Sequence, residues 1–149
     1  KSEVPIVVKI SPDISENQVQ QISEILLKYQ VKAIIVSNTT EDNRENLQNI
    51  SKHQKGGLSG KPLELKSNQL INKFYNLLKN KIDIIGVGGV DSGKSAYNKF
   101  LAGANYIQLY TGMVFRGPNI VVKIKKELKK LLINDGVKNF KEIVGKNNN

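Results

Sequence analysis

The chain has 149 residues, 39% hydrophobic and 24% charged, with a net charge of +10. It has no Cys and a single His, His53, which excludes a disulfide framework, a thiolate zinc site, a Cys nucleophile and a multi-His metal centre; no apolar run approaches the roughly 20 residues of a membrane span. The positive charge comes from 21 Lys and two Arg scattered along the sequence, whereas reading of phosphate forks and guanine edges favours Arg, so the charge reads as solvated surface and no nucleic-acid partner is expected.

In chain order, the first apolar run, Val4–Ile10, has strand character. A helical stripe follows over Ser15–Tyr29, with Ser15 as N-cap and Gln18 completing a capping box. The second strand is Ala33–Ser37. It leads into Thr40–Gly60, which has no clear periodicity and is rich in Asn, Gln, Glu and Gly, as expected of a mobile flap over the strand ends. A helix is predicted over Leu63–Leu78, a strand over Asp83–Val87, and a helix over Ser92–Leu101 stopped by Gly103. The last strand is Asn105–Leu109, followed by a helix over Asn119–Ile133 and a short segment, Asn139–Val144.

Strict alternation of strand and helix means parallel strands joined by right-handed crossovers. An open doubly wound sheet and a (β/α)₈ barrel both suit it. A whole barrel takes about 250 residues, so four βα units would be half of one. The chain begins with Lys1 rather than Met and runs almost directly into a strand, and it reads as part of a longer polypeptide.

Ligands of parallel α/β folds lie at the carboxyl ends of the strands. Those ends are Lys9, Ser37-Asn38-Thr39-Thr40, Gly88-Gly89 and Tyr110-Thr111-Gly112, and the long loop adds Gly56-Gly57-Leu58-Ser59-Gly60. Lys9 in an apolar run calls for an anion or an electron-rich ligand. The polar run after the second strand can bind the carbonyl and imide groups of a planar ligand. Gly88-Gly89 can bring backbone N–H groups close to a phosphate. The stretch Gly88–Ser95 also matches the P-loop pattern G-x-x-x-x-G-K-[ST], but no apolar strand ends in the Asp that would hold Mg²⁺. His53 reads as a surface residue of the flap, and no paired carboxylates sit at strand ends.

Six segments occur in order: Val8-Lys9-Ile10-Ser11-Pro12-Asp13, Ser37-Asn38-Thr39-Thr40, Gly56-Gly57-Leu58-Ser59-Gly60-Lys61-Pro62-Leu63, Ile85-Gly86-Val87-Gly88-Gly89-Val90, Gln108-Leu109-Tyr110-Thr111 and Phe115-Arg116-Gly117-Pro118. Together they resemble the C-terminal half of class 2, quinone-dependent dihydroorotate dehydrogenase, over nearly the whole chain. The resemblance implies an α/β fold, the C-terminal half of a (β/α)₈ TIM barrel made of four parallel βα units. It implies one FMN-binding barrel domain whose N-terminal half lies outside the chain. The activity it implies is oxidation of dihydroorotate to orotate in pyrimidine synthesis, with FMN as cofactor and a ubiquinone-type quinone as acceptor.

By the same resemblance, Lys9 and Ser37 contact the flavin, and Ser59, Gly60, Gly88, Gly89, Tyr110 and Thr111 complete its site, with Gly89, Tyr110 and Thr111 near the phosphate. Asn38 and Thr39 bind orotate. Tyr110, Met113, Val114 and Pro118 lie by a quinone tunnel. The catalytic base of the class is a Ser upstream of this segment, so no catalytic residue is expected here, and Ser59 is not that base. Membrane attachment belongs to an N-terminal segment, at the mitochondrial inner membrane in a eukaryote or the inner membrane in a bacterium. The segment alone is expected to be inactive. A flavin-free phosphate-binding barrel enzyme and a P-loop-like nucleotide-binding module are the alternatives, the latter with a basic cluster at Lys123, Lys125, Lys126, Lys129 and Lys130.

Overall fold

The computed structural model describes residues 4–42, 44–45 and 47–148. Four strands, β1 (Val7–Ile10), β2 (Ala33–Val36), β3 (Asp83–Val87) and β4 (Tyr106–Gln108), form one parallel sheet in the order β1-β2-β3-β4. The helices are α1 (Glu16–Lys28), α2 (Glu64–Leu78), α3 (Gly93–Ala102), α4 (Thr111–Arg116) and α5 (Ile120–Asn134). Sequential strand order has no switch point, which separates this sheet from a doubly wound one and gives it the strand order of a barrel wall.

The register explains which side is buried. Residues paired across a parallel sheet face the same way, and alternate residues face oppositely. Val8, Ile34 and Ile84 therefore share one face, and Ile10, Val36 and Gly86 continue it. That face packs on α1 and α2, where Val19, Leu26, Ile71, Phe74 and Leu78 are buried against Ile10, Ile34, Val36 and Ile84. Lys9, Ile35, Ile85 and Tyr106 share the other face, which is open: Val7 is 43% and Tyr106 56% exposed. Two smaller clusters hold α5 and the C-terminal segment to α3, one around Val90, Ala96, Ile120 and Ile124 and one around Tyr97, Phe100 and Ile143.

Local chemistry sets the boundaries. The Ser15–Gln18 capping box opens α1, and Ser92 with Ser95 opens α3 in the same way. Gly103, at φ +118°, ends α3. The strand predicted from Val4 begins only at Val7, where pairing with β2 starts at Ala33; just before it, the Ile6 carbonyl accepts from the Lys32 amide at 3.1 Å. Asn105 and Leu109 likewise fall outside β4. The short helix α4 was not predicted: Thr111–Arg116 is too brief to show a stripe. The final segment is a 3₁₀ turn at Phe140–Ile143.

The long connection is more ordered than a structureless flap. Thr40 and Leu58 form an antiparallel bridge at its base, and Ile50–His53 forms a 3₁₀ turn within it. The Arg44 guanidinium donates to the carbonyls of Lys52, Gln54 and Gly56. His53 is exposed. Asn43 and Asn46 lie outside the described residues.

Candidate functional site

A cavity of about 570 Å³ opens at the carboxyl ends of all four strands. Each strand end contributes to it: Lys9 from β1, Ser37, Asn38 and Thr39 after β2, Val87 from β3 with Gly88 and Gly89 after it, and Tyr110 and Thr111 after β4. Ser59 and Gly60 enter from the end of the long loop. Thus all ten residues singled out for substrate and cofactor line one space. Met113, Val114 and Pro118 do not line it; they are exposed on and after α4 beside it, while Phe115 and Arg116 reach the cavity.

Backbone hydrogen bonds fix these segments. The Asn38 amide donates to the Ile10 carbonyl at 2.7 Å, and the Ser37 amide donates to the Val87 carbonyl at 3.2 Å. The polar run after β2 is thereby held between its two neighbours. The Asn38 carboxamide oxygen accepts from the Thr39 amide at 2.9 Å, which leaves its Nδ2 donors without a partner among the described residues. The Thr111 hydroxyl donates to Ser59 Oγ at 2.9 Å, tying the end of the long loop to the segment after β4.

The glycine turn brings bare backbone to the cavity. Gly89 has φ +73°, and a Cβ placed there would lie 2.4 Å from Glu64 Cβ and 2.7 Å from Glu64 Cα. No other residue fits without displacing the start of α2. Basic groups surround this turn. Lys61 pairs with Glu64 and lies 3.7 Å from Asp91, and Arg116 lies 3.7 Å from the same carboxylate. The hydrogen bond that Lys61 donates to Glu64 raises the Lys61 pKa. Lys9 has no ion-pair partner among the described residues.

A second polar cluster anchors the rim. Asp13 accepts from the Thr40 hydroxyl at 2.5 Å, from the Glu41 amide at 2.7 Å and from Lys66, which also bonds Asp42 at 2.8 Å. Burial alone would raise the Asp13 pKa, but the bonds from Lys66, Thr40 and Glu41 outweigh it and hold the carboxyl at about 2.

The P-loop match does not form a nucleotide cradle. Ser95 is spent on capping α3, with its hydroxyl bonded to the Asp91 and Ser92 amides at 3.0 Å each. The Gly93 amide donates to Glu127 at 2.6 Å. Lys94 is exposed and lies over the Tyr97 ring, 5.5 Å from its centroid. The Lys cluster of α5 is on the exposed side of a helix that buries Ile120 and Ile124. No helix among the described residues is long and apolar enough to cross a membrane.

A profile of the dihydroorotate dehydrogenase family matches residues 1–132. The chain belongs to the dihydroorotate dehydrogenase family. Among its curated relatives, the mitochondrial dihydroorotate dehydrogenase (quinone) of Arabidopsis thaliana is 42% identical over 142 residues, covering 95% of this chain and 31% of the relative. The dihydroorotate dehydrogenase (quinone) of Buchnera aphidicola from Schizaphis graminum is 46% identical over 125 residues, covering 84% and 37%. The chain therefore spans about a third of the length of these relatives. The crystal structure of the Eimeria tenella DHODH in complex with ferulenol superposes with a TM-score of 0.93 at 34% identity, covering 97% of this chain and 38% of the other. The four βα units are thus a part of a dihydroorotate dehydrogenase barrel.

Some residues important to this geometry have no role in the sequence reading. Asp13, Lys66 and Arg44 are ordinary charged residues until the fold brings their partners together. Ser67 and Lys99 do leave a trace, since each interrupts an apolar helical stripe: Ser67 lies between Leu63, just before α2, and Leu70 on it, and Lys99 beside Ala96 and Phe100 on α3. Both are fully buried, and Lys99 Nζ bonds Ser67 Oγ at 3.1 Å and Asn68 Oδ1 at 2.8 Å.

Proposed function

We propose that this chain forms the C-terminal half of the FMN-binding barrel of a class 2 dihydroorotate dehydrogenase, oxidising dihydroorotate to orotate with a quinone as acceptor. The observation that supports it best is the convergence of four strand ends and the loop terminus on one cavity with the donor set such ligands need. The residues fit a flavin nucleotide. The Gly88-Gly89 turn leaves backbone open to a phosphate, with Lys61 and Arg116 beside it. Lys9 offers a positive charge with no ion-pair partner among the described residues, and Ser37 is held at the floor by the Val87 carbonyl. When bound, the flavin supplies the two-electron redox chemistry, and the protein supplies orientation and electrostatics.

In this reading Lys9 stabilises negative charge developing on the ring system. The free Nδ2 donors of Asn38, with Thr39, orient the carbonyl and carboxylate groups of orotate. The proton acceptor is a Ser outside this chain. Tyr110, Met113, Val114 and Pro118 form one side of the quinone approach, supported by the exposure of Tyr110 (78%) and Val114 (66%). The membrane that holds the quinone is the mitochondrial or bacterial inner membrane according to the source.

The test is a visible spectrum of the intact native polypeptide before and after heat release of cofactor. Released FMN, and bleaching of the bound form by dihydroorotate, are expected. A colourless protein that stays colourless on addition of FMN overturns the reading.

A further inference from the structure

Lys99 is 0% exposed, and no carboxylate forms an ion pair with it among the described residues. A methionine would fill the same space without the penalty of burying an amine. Instead the stem of Lys99 passes under β3 at Gly86, where an added Cβ would lie 3.0 Å from Lys99 Cδ. Its amino group donates to Ser67 Oγ at 3.1 Å and to Asn68 Oδ1 at 2.8 Å. The Ser67 hydroxyl donates in turn to the Val87 carbonyl at 2.7 Å. That carbonyl also accepts the Ser37 amide at 3.2 Å. The relay therefore ends on the atom that joins two cavity segments, Ser37–Thr39 and Gly88-Gly89.

We propose that Lys99 is a positioning residue for the cavity floor: through Ser67 it fixes the Val87 carbonyl and so sets the spacing of the two segments before any ligand arrives. The relay's geometry supports this without a ligand, whereas its consequence for flavin binding rests on the function proposed above. Burial pushes the Lys99 amine down to about 7, with Glu64 pulling it up and Lys61 pulling it down; it donates to Ser67 in either protonation state.

The test is amide hydrogen exchange of the intact polypeptide without added ligand, for the native sequence, Lys99→Met, Ser67→Ala and the double variant. Lys99→Met is expected to accelerate exchange at Ser37 by about tenfold relative to α1 amides, the effect of losing one buried hydrogen-bond partner. Ser67→Ala reproduces it, and the double variant goes no further than the larger single change. Acceleration spread evenly over α1 and α2, no change at Ser37, or fully additive effects would each overturn the proposal. Should Lys99→Met not fold, the same comparison on Ser67→Ala and Lys99→Gln decides it. FMN titration of the same proteins is expected to show about tenfold weaker binding for Lys99→Met. A native chain that takes up no FMN rejects the flavin reading, and the exchange result still decides the role of Lys99.

Discussion

Thr40 and Leu58 exchange two backbone hydrogen bonds, 3.1 Å from the Thr40 amide and 2.7 Å from the Leu58 amide. This closes the long loop at its base, so the loop is an arch standing on a bridge rather than a free strand-to-helix connection. The Thr40 side chain is buried and bonded to Asp13, and the loop's other foot leads to Ser59, bonded to Thr111. Both feet are thus tied to neighbouring segments, one to Asp13 and the other to Thr111.

Arg44 is the internal brace of that arch, through its bonds to the carbonyls of Lys52, Gln54 and Gly56. Arg44→Ala is expected to speed protease cleavage between residues 44 and 58 by an order of magnitude while leaving flavin content unchanged, because loop opening governs cleavage when reclosing is fast. Limited proteolysis with an absorbance reading of the surviving protein checks both halves.

The Asp13 cluster gives an acid-sensitive contribution. The folded-state pKa of about 2 lies below the ordinary 3.8. The folded chain thus binds fewer protons than the unfolded chain between those values. The stabilisation is present above about pH 4 and is lost as pH falls through about 2. It amounts to about 2 kcal/mol. Asp13→Asn should lower stability by about that amount at neutral pH and flatten the acid limb of a urea-midpoint titration; an unchanged acid limb would remove Asp13 from the account.

Gly89→Ala tests the turn directly. The positive φ and the 2.4 Å approach to Glu64 Cβ leave no relaxed position for a methyl group. A destabilisation of about 1–3 kcal/mol is expected from the backbone strain, together with loss of flavin from the purified intact protein. Thermal melts and the visible spectrum measure the two effects separately.

The strand ends were legible because parallel strands read as short apolar runs even where one face is open, and the polar or glycine residues within or just after each run reach the cavity. Lys9, Asn38, Gly89 and Thr111 could be placed in this way. The capping box of α1 and the stop at Gly103 were legible for an equally local reason. Helix α4 was not, because six residues give no periodicity. The Asp13–Lys66 contact was not, because it joins residues far apart in sequence and surface Lys and Asp are ordinary in composition. Lys99 was visible only as an anomaly on an apolar stripe; its partner Ser67 belongs to another helix, and tertiary packing alone brings them together.

On the function proposed above, Asn38→Ala is expected to separate substrate binding from cofactor binding. Its backbone amide bonds Ile10 and survives the substitution, whereas the Nδ2 donors are removed. In the intact enzyme KM for dihydroorotate should rise at least about tenfold, the effect of one lost hydrogen bond to a charged ligand, with flavin content nearly unchanged. Equal loss of both would remove Asn38 from the substrate site.

Lys99 makes stability rise with pH on the alkaline side of neutrality. Its amine titrates near 7 in the folded chain against an ordinary 10.5, burial being the main cause. Between those values the unfolded chain holds a proton that the folded chain has released, so the slope of unfolding free energy with pH is positive. The gain is complete above about 10.5 and is lost as pH falls through about 7. Tyr97 acts the other way and only above 10: its bond to Asp135 raises the phenol from 10.0 to about 12, so the folded chain keeps a proton there that the unfolded chain loses. The window from about pH 7 to 10 therefore belongs to Lys99. Urea midpoints taken across it should climb for the native sequence and stay level for Lys99→Met. A climb of equal size in the variant would mean that another group carries the slope.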